Sequence, residues 1–140
     1  MVYRMRLQEV PFSQIKSGMK TIELRLFDEK RRPINIGDKI IFQCISDESA
    51  QIAVIVKALY RYASFCDLFE EVPREKCGIT TNDTIRELAE QMRCYYSEEA
   101  EEIFGVLGIK FELTDLEAVI EEQKHIADNE YEKYFPDGMK

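Results

Sequence analysis

Alternation of apolar and polar residues at period two, interrupted by stretches of helical spacing, restricts this chain most. The opening VYRMRLQ (residues 2–8) sets Tyr3, Met5 and Leu7 against Val2, Arg4 and Arg6, the pattern of a strand with one buried face. PFSQIKSG follows: Pro11 permits a helix start, Phe12 and Ile15 fall three apart, and Ser17-Gly18 ends the turn with the residue that best tolerates a left-handed backbone. A second strand, KTIELRL, then offers Ile22, Leu24 and Leu26 as its inner face and turns Thr21, Glu23 and Arg25 the other way. FDEKRRPINIGDK is turn chemistry. The apolar segments KIIFQCI (39–45) and AQIAVIVKALYRY (50–62), joined by polar SDES, predict a hairpin.

From Ser64 the period changes. A serine cap, Phe65, Leu68, Phe69 and Val72 at helical spacing, and a stop at Pro73 predict one helix. TTNDTIRELAEQMRCYYS predicts another, with caps at Thr81 to Asp83, and Ser97 caps a brief acidic turn, EEAEEIF. GVLGIKFEL (105–113) returns to period two through Leu107, Ile109, Phe111 and Leu113. Thr114 and Glu117 form a capping box, opening a terminal helix in which Leu116, Val119 and Ile120 can dock, with Ile126, Tyr131, Tyr134 and Phe135 further along. Five strands broken by helices suit an α+β fold, a small partly closed barrel with helices at its flank.

A chain of 140 residues buries one sizeable core, so one domain is expected. With 45% hydrophobic and 33% charged residues it reads as globular. No apolar window reaches the roughly 18 residues of a membrane span, and MVYRMRLQEV lacks the apolar core of a signal peptide. The expected location is the cytoplasm. Cys44, Cys66, Cys77 and Cys94 contain no close CxxC pair, and His125 has no partner at ligand spacing, so neither a metal nor a cofactor is expected. The net charge of −8 opposes non-specific nucleic-acid binding. It is unevenly spread: residues 1–40 carry nine Lys/Arg against five acids, so any basic surface lies there.

GMKTIELR (18–25) concentrates the chemistry. Gly18 is a helix C-cap whose missing side chain also lets a ligand approach the backbone. Lys20 is either a solvated ammonium or a phosphate-binding cation, and in an enzyme it becomes a base. Glu23 and Arg25, two apart on one strand face, are an exposed ion pair or, in a cleft, an acid orienting a guanidinium fork toward a phosphate or base edge. Arg4 and Arg6 share the polar face of the first strand, and Lys30, Arg31 and Arg32 form a basic run. Tyr60, Tyr62, Tyr95 and Tyr96 are candidates for stacking a splayed base.

Gly18, Lys20, Glu23 and Arg25 together satisfy the GxKxxExR signature, and the chain resembles the small stand-alone ASCH proteins of the PUA-like superfold over about residues 2–113. The resemblance implies a PUA-like barrel of about five to six strands, an ASCH domain over 1–113 and a helical extension over 114–140. It also implies a cleft lined by the motif residues, with RNA, a nucleotide or a nucleoside as ligand. Some members act instead as amidohydrolases on N-acetylated cytidine, with the motif lysine activating a threonine three residues beyond it and an acid from the segment after the barrel strands. Here that position is Glu23, and Thr21 on a regular strand points away from Lys20. A Lys20–Glu23 pair positioning a water, with Glu70, Glu71 or Glu75 nearby, is the remaining catalytic option. The terminal helix either docks on its own domain or pairs in a homodimer.

Overall fold

The computed structural model describes residues 1–134, with side-chain burial through residue 127. Five strands form one curled sheet, a half-barrel in the order β1-β3-β4-β5-β2: β1 (Val2–Leu7), β2 (Ile22–Leu26), β3 (Lys39–Cys44), β4 (Asp47–Tyr62) and β5 (Val106–Thr114). β1 runs parallel to β3, and the other neighbours are antiparallel. The long β4 serves both flanks, pairing with β3 through Asp47–Ile55 and with β5 through Ala53–Tyr62. A register shift between Val56 and Ala58 adds the local bend that curls such a sheet. β1 and β2 are therefore its two edges, and they do not pair with each other.

The two faces of the sheet bury different partners. On the inner face Met5, Leu7, Ile40, Phe42, Val54, Val56, Leu107, Ile109 and Phe111 pack with Phe12 and Ile15 of α1 (Glu9–Lys16). On the outer face Tyr60, Tyr62 and Val106 meet α2 (Phe65–Glu71), α3 (Ile85–Gln91) and α4 (Glu98–Phe104) through Phe65, Leu68 and Phe69, Leu88, and Ala100 and Phe104 respectively. The rest of the outer face, Ile41 and Ala53, lies under Val119 of α5 (Leu116–Tyr134), with Leu116, Ile120 and Val2 around it. Arg4 Nε donates to Gln123 Oε1 at 3.0 Å on this same side. Tyr131 and Tyr134 lie outside the residues whose side chains are described, and Phe135 lies outside the described residues altogether.

Several sequence expectations need correction. Ile22, Leu24 and Leu26 are buried, but beneath the helices rather than inside the barrel. Glu23 pairs with Ile109 and Arg25 with Leu107 in the ladder. Directly opposed residues share a face, so the charged side chains point to the inner face. Alternation reveals two faces but not which one curls inward. β2 begins at Ile22, not Lys20. The cap of α3 is Thr84, which accepts from the Glu87 amide, and Asp115 rather than Thr114 caps α5. In the second case the reason is plain, because Thr114 is held as the last residue of β5. Leu113, at the far end of β5, is half exposed. Ser64 and Ser97 cap α2 and α4 as their sequence positions imply.

Gly18 follows α1 with φ +85, and a Cβ built there meets nothing within 4 Å. The cost of replacing it is thus conformational. Gly18→Ala is expected to lose about 1–2 kcal/mol, the penalty of a left-handed L-residue, measured by urea denaturation; unchanged stability would show that the turn relaxes. Among the described residues, no helix is long and apolar enough to cross a membrane, and no group of three or more His, Cys, Asp or Glu could hold a metal ion.

Candidate functional site

The open seam between the edge strands is a cavity of about 350 Å³, within the size range of small-molecule sites. Its walls come from Arg6, Leu7 and Gln8 at the end of β1, Pro11 of α1, Ile45 after β3, and Lys20, Glu23, Leu24 and Arg25 around β2. Cys77, Ile79, Met92, Tyr95 and Tyr96, from the helical segment between β4 and β5, complete it.

Lys20 reaches this cavity because the chain is not yet a strand there. On a regular strand from Lys20 the lysine and Glu23 would occupy opposite faces. Instead the Lys20 amide donates to the Gln14 carbonyl at 3.0 Å and the Thr21 amide to the Lys76 carbonyl at 2.9 Å, and β2 starts only afterwards. Lys20 Nζ thereby comes 2.8 Å from Glu23 Oε1, with the two side chains 10% and 6% exposed. Arg25 Nε and Nη2 both donate to Glu23 Oε2, at 3.1 and 2.9 Å. The Leu24 amide donates to Oε1 at 3.2 Å. Arg25 Nη2 also donates to the Arg6 carbonyl at 3.1 Å, so the motif arginine bridges the two unpaired sheet edges.

Electrostatics follow from this geometry. Burial by itself would raise the Glu23 carboxyl, but the Lys20 ammonium and Arg25 guanidinium, with the hydrogen bonds they donate, outweigh it and hold the group below its ordinary value. Burial pushes the Tyr96 phenol up, so its hydroxyl stays protonated at neutral pH. Burial likewise pushes the Cys77 thiol up to about 11, against the opposing pull of Lys20; the thiol is a wall, not a thiolate. Three cations, Lys20, Arg25 and the exposed Arg6, and one carboxylate line the cavity, leaving it net positive in an acidic protein.

Of the residues singled out in the sequence, Lys20, Glu23, Arg25, Arg6, Tyr95 and Tyr96 meet in the cavity. Tyr96 stacks on Phe65, with ring centroids 5.9 Å apart, while Tyr95 is 68% exposed at the rim. Gly18 and Arg4 do not line the cavity, and Tyr60 and Tyr62 pack under the helices on the opposite face of the sheet. In the basic run, Arg31 pairs with Asp28 at 2.9 Å and Arg32 lies over the Phe27 ring. Thr21 does not line the cavity, and Glu70, Glu71 and Glu75 are exposed outside it. Glu23 is the carboxylate among the lining residues, and both its oxygens are engaged.

Sequence reasoning missed the wall formed by Cys77, Ile79 and Met92. One signal was available: Gly78 between two apolar residues. It sits at φ +81, and a Cβ there would run into the Gln14 side chain and approach Lys20 Cδ to 3.2 Å. Gln14 Nε2 donates to the Gly78 carbonyl at 3.0 Å, so the glycine lets this segment close over the lysine stem.

The comparisons fit this geometry. The ASCH domain model matches residues 5–115. The hypothetical protein PH0355 is 38% identical, with 81% of this chain and 100% of that one covered at a TM-score of 0.72. Protein PF0455 from Pyrococcus furiosus is 35% identical, covering 82% and 99% at 0.63. The crystal structure of a mutant ZmASCH protein from Zymomonas mobilis shares the fold at 18% identity, covering 80% and 66% with a TM-score of 0.53. No curated protein matches the chain. With the three charged signature residues gathered in one cavity and the family match running from the first strand to the end of the last, this chain belongs to the ASCH domain family.

Proposed function

We propose that the protein binds single-stranded RNA by seating a nucleotide in the seam cavity. The observation that carries this reading is the inward convergence of Lys20 and Arg25 on the two oxygens of buried Glu23. An exposed pair of this kind would be worth little; here the acid fixes two cations at the edge of a hollow. Arg6 at the rim supplies a further charge for the backbone, and exposed Tyr95 a face on which a neighbouring base stacks. The acidic remainder of the chain limits the footprint to a few nucleotides. The RNA-binding role suggested for the family supports the same reading.

Titration of a short fluorescent single-stranded RNA tests it. With three cations and one carboxylate lining it, the cavity places a net charge of about two beside the backbone phosphates, which predicts a log–log salt slope of roughly −1.4, about a sevenfold weakening between roughly 50 and 200 mM salt. Absent or salt-independent binding would refute the proposal. A parallel incubation with an N-acylated cytidine distinguishes hydrolysis: release of the acyl group, abolished by Lys20→Ala, would replace binding by catalysis with Lys20 and Glu23 as the reacting pair.

A further inference from the structure

Counting donors and acceptors on the charged floor of the cavity leads beyond affinity to selectivity. A carboxylate offers about four lone-pair positions. Those of Glu23 are taken by Lys20 Nζ and the Leu24 amide on Oε1 and by Arg25 Nε and Nη2 on Oε2. Lysine and arginine have no acceptor at all. Arg25 uses Nε and both hydrogens of Nη2, toward Glu23 and the Arg6 carbonyl, and Nη1 has no hydrogen-bond partner among the described residues. Among the described residues Lys20 pairs with Glu23 alone, which leaves two of its three N–H groups. The floor therefore presents donors from two neighbouring cations and no free acceptor. Around it the walls are largely apolar and come from both sides of the seam, Leu7, Pro11 and Ile45 on one and Ile79, Met92 and the Tyr96 ring on the other, with Gln8 and the Tyr95 and Tyr96 hydroxyls as further polar groups.

We infer that the cavity selects a purine edge made of two acceptors, the O6 and N7 of a 6-oxopurine. The inference rests on the nucleotide-binding reading above and names the base. Guanine presents acceptors at both positions to a lysine or arginine, whereas adenine replaces one of them by the N6 amino group. Set against Lys20 and Arg25, that amino group meets only donors and loses its water without gaining a partner from the charged floor, and a site built of hydrogen-bonding groups rejects such a mismatch strongly. A bare phosphate is also an acceptor-only ligand, but it makes no use of the apolar walls, which suit the faces of a planar ring.

The test is isothermal titration of the wild-type protein with GMP, IMP, AMP, 7-deaza-GMP and inorganic phosphate. GMP and IMP are expected to bind alike and at least about tenfold more tightly than AMP, because N2 is not read and O6 and N7 are. 7-Deaza-GMP, which lacks only the N7 acceptor, should fall toward AMP. Lys20→Met, which keeps the stem and removes the donors, should bring GMP and AMP toward parity; circular dichroism establishes that it is folded, and the deaza analogue probes the same contact without a substitution. Equal binding of AMP and GMP, phosphate competing as well as GMP, or no mononucleotide binding would overturn the inference. In the last case RNA binding with the salt slope given above would leave the broader reading intact; GMP selectivity without RNA binding would uphold the inference and reject RNA as the partner.

Discussion

Glu23→Ala is expected to cost about 3–5 kcal/mol of folding stability, the range for removing one member of a buried charge group. The carboxylate sits between Lys20 and Arg25 with its side chain 6% exposed. Its loss leaves two like charges side by side in a partly dry cavity and takes the acceptor from the Leu24 amide. For a domain of this size the melting temperature should fall by about 10–15 °C, and urea denaturation gives the free energy directly. Glu23→Gln keeps the shape and two of the contacts, so it should cost less. The acid limb of stability carries the same signature. Because the folded-state pKa of Glu23 lies below its ordinary 4.5, its contribution is fully present above that value and disappears as pH falls through the lower folded-state value. Glu23→Ala should therefore be less sensitive to acid than the wild type. A loss below about 1 kcal/mol would mean that the triad is solvated and the cavity is not a built site.

Arg25→Ala is expected to weaken RNA binding by roughly tenfold to a hundredfold, corresponding to the about 1.5–3 kcal/mol of hydrogen bonds involving a charged group. Arg25→Lys separates charge from shape. Lysine keeps the positive charge but not the planar fork that now spans Glu23 and the Arg6 carbonyl. The salt slope should thus survive in Arg25→Lys while affinity drops, whereas Arg25→Ala should lose both affinity and part of the slope. Because Arg25 also joins the two sheet edges, thermal melts of each variant are needed alongside the titrations. Wild-type affinity in a folded Arg25→Ala would move the binding surface away from the cavity.

The elements were largely legible because each rests on local chemistry. Alternation marked β1, β2 and β5, apolar runs across a short polar link marked β3 and β4, Phe12 and Ile15 marked α1, and Ser64 and Ser97 marked two helix starts. The GxKxxExR residues were legible as a group as well. Legibility failed where a residue's role depends on something distant in the chain. Tyr60 and Tyr62 had the composition of a stacking platform, yet the register shift between Val56 and Ala58 reverses the alternation of β4, so that Val54 and Val56 face inward while Tyr60 and Tyr62 fall on the outer face, under helices. Cys77, Ile79 and Met92 had no motif; Cys77 and Ile79 became a wall only when Gly78 allowed their segment to close over Lys20, and Met92 joined them from the far end of α3.

What the amino-acid order determined by itself was a set of amphipathic pieces and a cluster of three charges, since periodicity and capping act over a few residues. Which face curled inward, and that β1 and β2 would be left unpaired with the charges between them, was decided by the tertiary structure. β4 binds β3 and β5 together, α2 to α4 claim the apolar face of β2, and Glu23 and Arg25 are thereby turned to the inside. A buried carboxylate holding two cations is stable only in such a setting, because desolvating any one of them alone costs more than a short isolated strand could return.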